Sequence, residues 1–176
     1  MILKNLRIGL DLDDCIFSFM ESYKEYFKGQ SLDNETITRN VMRVLRKDRD
    51  FWVNLPVKNT PDFEPQLYCT KRVNNKSWTK KALEINNMPN RPVYQMYDIT
   101  GNKADLIKGK VDVFIDDSIS NMIQLNLSGI PCLLMDTPYN QSWGPIGRIY
   151  SLNKEEIIDT YELFIKTVFS KFKQLL

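Results

Sequence analysis

The sequence has no histidine among its 176 residues. That absence excludes catalytic triads with an imidazole base, zinc sites with histidine ligands, and histidine general bases. Any catalysis must therefore depend on carboxylates, lysine, hydroxyl groups, cysteine or a bound metal ion.

Cysteine is also scarce. The three cysteines, Cys15, Cys69 and Cys132, lie in or beside apolar runs, and none has the spacing of a CxxC motif. A disulfide framework is therefore not expected, and reduced thiols favour a cytoplasmic location. No signal peptide is evident, and no segment has the roughly 18 apolar residues that a membrane helix requires, so no membrane association is expected.

The charge is nearly balanced, with a formal net charge of +2 at pH 7. This argues against a strongly basic surface that would bind nucleic acid without regard to sequence. The length of 176 residues predicts one domain with a substantial core, and the hydrophobic content of 43% is typical of a globular protein.

Two clusters of acidic residues carry the main chemical signal. Asp11, Asp13 and Asp14 follow one short apolar run, and Asp116 and Asp117 follow another. An apolar run that ends in carboxylates is typical of a buried strand whose carboxyl end carries a functional site. Carboxylates from two strand ends repel one another unless a cation lies between them, and Mg²⁺ prefers oxygen ligands. The two clusters therefore predict a magnesium site.

The spacing within the first cluster suggests a division of labour. Asp11 and Asp13 are two residues apart, so in a strand both side chains point to the same side. One such carboxylate can act as nucleophile while the other carries a proton. Acidic residues at strand ends also serve as turn residues and helix caps. A second acidic pair at another strand end favours the functional interpretation.

Apolar runs alternate with helical patterns along the chain. Strands are predicted at 5–11, 67–69, 93–97, 111–115 and 130–135. Helices are predicted at 16–28, from Asp33 or Asn34 to Leu45, at 77–86 and 103–108, from Ser118 to Leu125, and from Asn153 through Phe172. This alternation predicts an α/β fold with a three-layer, doubly wound, Rossmann-like parallel sheet.

One segment does not fit simple alternation. Residues 15–64 contain two helical patterns where one crossover is expected, followed by an aromatic loop at 51–56. We therefore predict a small helical cap at 15–64, inserted into an α/β core formed by 1–14 and 65–176.

Thr70 and Lys103 are candidates for binding an anion. Thr70 ends the second predicted strand, where a hydroxyl and the following backbone N–H groups can hold a phosphoryl oxygen. Lys103 precedes the fourth strand and could neutralise phosphate charge. Lys108 and Lys110 lie close by in the sequence, so the residues alone do not select among these three lysines.

The order of these elements resembles the four motifs of the haloacid dehalogenase superfamily of phosphohydrolases. The sequence has a strand with Asp-x-Asp, a strand ending in Thr70, then Lys103, then a strand ending in Asp-Asp. A helical insertion directly after the first motif is similar to the C1 cap of that superfamily. The sequence departs from the superfamily pattern in having Asp14 where glycine is usual, and Lys71 and Arg72 after Thr70.

Shorter segments resemble the 5′(3′)-deoxyribonucleotidase type C branch of the superfamily. Phe19 lies where that branch has an aromatic residue after the first motif. Residues 51–56 (Phe-Trp-Val-Asn-Leu-Pro) resemble its Phe-Phe-x-x-Leu-x-Pro segment, with the proline one position early. Residues 138–140 (Pro-Tyr-Asn) resemble the segment that follows its fifth strand.

The resemblance implies a set of roles for the acidic residues. Asp11 would attack phosphorus and become an aspartyl-phosphate, and Asp13 would protonate the leaving oxygen and then activate water. Mg²⁺ would be bound by the Asp11 carboxylate, the Asp13 backbone carbonyl and Asp116, with Asp117 close behind.

The resemblance also implies contacts with the substrate. Thr70, Lys71 and Lys103 would bind phosphoryl oxygens, and Phe19, Trp52 and Arg72 would contact the rest of the substrate. An aromatic ring that stacks on a base contributes about 1–3 kcal/mol. The alternative is that Phe19 and Trp52 form the hydrophobic core of the cap.

The sequence therefore predicts a Mg²⁺-dependent phosphomonoesterase that acts on a nucleoside monophosphate, such as a 5′-deoxyribonucleotide. A 3′-phosphatase of nucleic-acid ends is an alternative, supported by Lys71, Arg72 and the basic run 43–49, but less favoured. A non-catalytic binding or structural module is another. A signalling receiver domain also uses Asp, Thr, Lys and Mg²⁺, but its lysine comes last in the sequence. It is disfavoured because Lys103 precedes the last acidic pair.

The predicted cap is short and could leave the pocket open unless a second subunit closes it. A homodimer is therefore one expected arrangement.

Overall fold

The computed structural model describes residues 5–169, and a six-stranded parallel sheet forms its centre. The strands are β1 (Ile8–Leu10), β2 (Leu67–Thr70), β3 (Val93–Gln95), β4 (Val113–Asp116), β5 (Cys132–Met135) and β6 (Arg148–Ile149). They lie in the order β3-β2-β1-β4-β5-β6, and each neighbouring pair is parallel. This is a Rossmann-like arrangement, in which the direction of strand addition reverses between β1 and β4.

Residues 5–169 also contain seven α-helices, six between the strands and one after β6. They are α1 (Phe19–Tyr26), α2 (Asn34–Arg43), α3 (Arg49–Val53), α4 (Lys76–Ile85), α5 (Ala104–Ile107), α6 (Ile119–Leu127) and α7 (Lys154–Phe164). A 3₁₀ turn at Leu45–Lys47 precedes α3, and a π-helical turn at Ile165–Phe169 follows α7. The expected caps are confirmed, because Asp33, Ser118 and Asn153 accept hydrogen bonds from the first backbone N–H groups of α2, α6 and α7.

Some predicted boundaries are wrong, each for a local reason. The expected loop at 51–56 begins instead within α3, which Asp48 caps by accepting a hydrogen bond from the Phe51 N–H at 2.9 Å. The first helix begins at Phe19 because Phe17 forms isolated β-bridges with Asp13 and Val57, which are incompatible with a helical backbone there. Strand β6 was not predicted, since two residues are too few to show a period. Phe172, the predicted end of the last helix, lies outside the described residues.

The segment between β1 and β2, which we call the insertion, holds three α-helices, α1, α2 and α3, where two helical patterns were predicted. Its buried side chains Phe17, Leu45 and Trp52 belong to the same hydrophobic cluster as Leu10 and Tyr68 of the sheet. The insertion and the sheet therefore share one continuous core.

Close packing between β1 and β4 depends on a glycine. Gly9 is paired with Phe114 across these strands, and a Cβ atom at Gly9 would lie 2.7 Å from the Phe114 Cδ2 atom. A larger residue at Gly9 would displace the ring that lies at the centre of the sheet.

Among the described residues, none of the helices combines the length and apolar character that crossing a membrane demands.

Candidate active site

The predicted site residues meet at one edge of the sheet. Asp11 directly follows β1, Asp116 ends β4, and Thr70 ends β2. Since β2, β1 and β4 are adjacent and parallel, their carboxyl ends lie side by side at the point where the strand order reverses. The fold therefore brings residues that are far apart in sequence together at this switch point, where open α/β sheets have a crevice.

Three carboxylates form a compact oxygen cluster in this crevice. Asp11, Asp116 and Asp117 each offer a carboxylate oxygen, and these oxygens all lie within 4.8 Å of one another. Burial raises the pKa of Asp11 to about 7, with the charge of Lys103 acting in the opposite direction. Burial, and then the charge of Asp116, hold the pKa of Asp117 well above its usual value. A cation placed among these oxygens would favour their ionised forms.

Lys103 supplies positive charge to the same cluster. Its Nζ atom lies 2.8 Å from Asp11 Oδ2 and 2.6 Å from Asp116 Oδ2, and its side chain is 1% exposed. Burial lowers the pKa of Lys103, but the charges of Asp11 and Asp116 outweigh that effect and hold the pKa well above its usual value.

The structure selects Lys103 from the three candidate lysines. Lys108 is exposed, and the Lys110 Nζ atom donates a hydrogen bond to the backbone carbonyl of Leu106. Lys103 alone of these three contacts the acidic cluster.

Asn121 is a site residue that the sequence analysis missed. Its Nδ2 atom donates to both Asp116 carboxylate oxygens, at 3.1 and 3.3 Å, and its Oδ1 atom accepts a hydrogen bond from Lys71 Nζ at 2.7 Å. Burial lowers the pKa of Lys71, and the nearby charge of Lys103 lowers it further. One signal could have found Asn121: it lies in the first turn of the helix that Ser118 caps, directly after the acidic pair.

Asp13 lies beside the cluster and has different partners. Arg72 donates to both carboxylate oxygens of Asp13, through Nη2 to Oδ1 at 2.6 Å and through Nε to Oδ2 at 2.9 Å. The Thr70 hydroxyl donates to Asp13 Oδ2 at 3.3 Å. The Arg72 side chain, for which a contact with substrate was predicted, is completely buried and bound to Asp13.

The aromatic residues of the insertion form a packed group. Phe19 stacks on Trp52 with ring centroids 5.6 Å apart and an angle of 15° between the planes. Trp52 is 2% exposed, and its indole N–H donates to the backbone carbonyl of Leu45 at 2.7 Å. Trp52 is thus a core residue in this structure, as the alternative interpretation predicted, while Phe19 is half-buried.

The backbone conformation of Asp14 explains why it can stand where the haloacid dehalogenase pattern usually has glycine. Asp14 adopts a left-handed backbone conformation with φ of 55°, which glycine, asparagine and aspartate tolerate better than other residues. Its carboxylate accepts a hydrogen bond from the Met20 N–H at 3.1 Å. Burial raises the pKa of Asp14 to about 6.

The segment 138–140 connects the loop after β5 to both acidic clusters. The Tyr139 hydroxyl donates to Asp14 Oδ2 at 3.1 Å and also contacts the Asp117 carboxylate. Asn140 donates from Nδ2 to the backbone carbonyls of Asp117 and Met135, each at 2.8 Å. The Pro-Tyr-Asn segment therefore restrains Asp117 of the second acidic pair and Asp14 of the first cluster.

The donor set at the crevice fits Mg²⁺. It consists of hard carboxylate oxygens, which this ion prefers, and burial makes uncompensated charge on them unfavourable. Of the predicted carboxylate ligands, the structure brings Asp11 and Asp116 together and places Asp117 beside them. The predicted ligand at Asp13 is its backbone carbonyl, so the binding of its carboxylate to Arg72 leaves that prediction open.

No protein-family model, curated protein or solved structure matches this chain.

Proposed function

We propose that the protein is a Mg²⁺-dependent phosphomonoesterase of the haloacid dehalogenase type, which hydrolyses a small phosphate monoester through an aspartyl-phosphate on Asp11. The observation that carries this proposal is the convergence of three strand ends. Asp11 and Asp116 contact a buried lysine there, and Thr70 binds Asp13 directly beside them. Phosphoryl transfer mainly requires positioning and charge neutralisation, so a site without histidine is adequate.

The proposed reaction has two steps, formation of the aspartyl-phosphate and its hydrolysis. In the first, a carboxylate oxygen of Asp11 forms a bond to phosphorus, the bond from phosphorus to the leaving oxygen breaks, and Asp13 gives that oxygen a proton. In the second, water attacks phosphorus, Asp13 accepts the water proton, and the bond to Asp11 breaks to release phosphate.

The basic and polar side chains compensate the charge of the substrate. Lys103 and Lys71 carry positive charge at the crevice, and the Thr70 hydroxyl can donate to a phosphoryl oxygen. Mg²⁺ bound by Asp11, Asp116 and Asp117 would neutralise negative charge on the phosphoryl group and on its carboxylate ligands.

A nucleoside monophosphate is the proposed substrate class. Half-buried Phe19 lies in α1, close after the first acidic cluster, and its ring would be the surface on which a base stacks. The burial of Arg72 removes one of the features that favoured a nucleic-acid end as substrate.

Phosphate release with Mg²⁺ tests the proposal. The panel contains deoxy- and ribonucleoside 5′- and 3′-monophosphates, small sugar phosphates and a 3′-phosphorylated oligonucleotide. We expect release from the 5′-deoxyribonucleotides that is lost in Asp11→Asn. Asp112→Asn is the matched control, because Asp112 immediately precedes β4 and so lies at the opposite edge of the sheet. A folded protein that binds Mg²⁺ but releases no phosphate from any substrate would instead indicate a non-catalytic module.

A further inference from the structure

We infer that Arg72 is a positioning residue, which fixes the orientation of the Asp13 carboxylate and is itself held by aromatic rings of the insertion. The inference rests on the proposed function, since it concerns the residue that carries the proton in both steps. It replaces the role of substrate contact that the sequence suggested for Arg72.

The contact between Arg72 and Asp13 fixes the plane of the carboxylate. Two guanidinium nitrogens, Nε and Nη2, donate to the two oxygens, at 2.9 and 2.6 Å. Paired hydrogen bonds of this kind define an orientation that a single point charge does not. The Asp13 side chain is 22% exposed while that of Arg72 is completely buried, so the carboxylate lies nearer the surface than the guanidinium that binds it.

Two aromatic rings of the insertion hold the guanidinium. The Arg72 Cζ atom lies 5.4 Å from the centroid of the Phe17 ring and 5.1 Å from that of Trp52. These distances are within the range of favourable cation–π contacts. The buried Arg72 Nη1 atom has no hydrogen-bond partner among residues 5–169, so no other polar group of this part of the chain restrains that end of the guanidinium.

A buried polar network fixes the backbone of Arg72. The Gln95 side chain donates from Nε2 to the backbone carbonyls of Arg72 at 2.9 Å and Asn74 at 2.7 Å. Thr79 donates to Gln95 Oε1 at 2.9 Å. The loop after β2 is therefore held by β3 and α4, and Arg72 is restrained at both its backbone and its side chain.

The orientation of the Asp13 carboxylate that Arg72 fixes should affect the reaction rate as well as the stability of the fold. Asp13 must align with the leaving oxygen in the first step and with a water molecule in the second. A misplacement of about 1 Å in a reacting group can lower the rate by about 10²-fold. A leaving group that needs no proton makes the first step insensitive to Asp13, but the second step still requires it.

The test compares Arg72→Lys with wild type, using p-nitrophenyl phosphate and Mg²⁺ in rapid-quench experiments. Lysine keeps the charge and loses the paired geometry. We expect the aspartyl-phosphate to form at close to the wild-type rate, turnover to fall by about 10²-fold, and the aspartyl-phosphate to accumulate. Arg7→Lys is the matched control, since Arg7 makes a similar paired contact with Asp112 at the opposite edge of the sheet and should leave both steps unchanged.

Two outcomes would overturn the inference. A higher KM with unchanged kcat would make Arg72 a substrate contact, and an equal loss of both steps together with a lower Tm would make it structural. If Arg72→Lys does not fold, Trp52→Leu and Trp52→Phe test the same point. The leucine variant should accumulate the aspartyl-phosphate, and the phenylalanine variant, which keeps an aromatic face, should recover turnover.

A measurement without substrate separates this inference from the proposed function. In the metal-free protein, the Arg72 Nε–H should give an NMR signal that is protected from exchange with water, and Asp13→Asn should shift it and remove its protection. An unprotected signal would overturn the inference. A wild-type protein that shows the protected signal but forms no aspartyl-phosphate would overturn the proposed function alone.

Discussion

Lys103 and Asp116 form an ion pair in which Nζ and Oδ2 are 2.6 Å apart and the two side chains are 1% and 0% exposed. The same Nζ atom also contacts Asp11. Two carboxylates that belong to different strands therefore share one buried cation, and the folded state depends on that charge.

Replacing Lys103 should strongly destabilise the protein. Lys103→Met leaves Asp11 and Asp116 buried without their common partner, and breaking such a buried pair costs about 3–5 kcal/mol. Urea denaturation followed by circular dichroism measures the change. Lys108→Met is the control because Lys108 is exposed, and it should change the free energy of unfolding by less than about 0.5 kcal/mol. Similar values for the two variants would contradict the importance of the shared cation.

Mg²⁺ should raise the thermal stability of the wild-type protein. An ion that binds the folded state alone stabilises it by an amount that grows with its concentration, about 2.7 kcal/mol at 100 times Kd. Differential scanning fluorimetry across a Mg²⁺ titration measures the shift in Tm. Asp116→Asn should reduce the shift, while Asp112→Asn should retain it. A Tm that does not change with Mg²⁺ would exclude the metal site.

The backbone conformation of Asp14 predicts an unusual order of substitutions. Asp14→Gly suits the left-handed conformation at φ of 55°, whereas Asp14→Ala adds strain of about 1–2 kcal/mol. Both variants lose the contacts to Met20 and Tyr139, so their difference isolates the backbone. Chemical denaturation should show the glycine variant to be more stable than the alanine variant. Equal stabilities would show that the strain is relieved locally.

The pair of Arg7 and Asp112 should make stability depend on acid pH. Hydrogen bonds from the Arg7 side chain hold the pKa of Asp112 below its usual value. A lowered pKa in the folded state stabilises the protein above the unfolded value of about 3.9, and this contribution is lost as the pH falls through the folded value. The difference in unfolding free energy between wild type and Asp112→Asn should thus be constant near neutrality and shrink below about pH 4. Urea denaturation from pH 3 to 7 measures it, and a difference that grows in acid would contradict this sign.

The strands and their acidic ends could be predicted because they depend on local patterns. Short apolar runs before Asp11 and Asp116 correspond to β1 and β4, and the Rossmann-like order then brings both ends together. A side chain's partner across the fold has no such local pattern. The sequence contained no sign that Arg72 would bind Asp13, 59 residues away, or that Lys103 rather than Lys108 would reach the crevice.

Short elements were missed for a related reason. Strand β6 has two residues and α3 has five, so neither repeats its period often enough to be recognised in the sequence. Asn121 was missed although its place in the first turn of α6 was a local signal, because its contacts with Asp116 and Lys71 form only in the folded chain. These features depend on three-dimensional neighbours that a single sequence does not identify.

The burial of Arg72 also limits how the protein can move. Its guanidinium lies against Phe17 and Trp52 of the insertion and against Asp13 of the crevice. If the insertion swung away from the sheet, it would expose these rings and leave the cation without its aromatic partners. We therefore expect the insertion to act as a fixed wall rather than a hinged lid, so that a ligand reaches the crevice by passing along it.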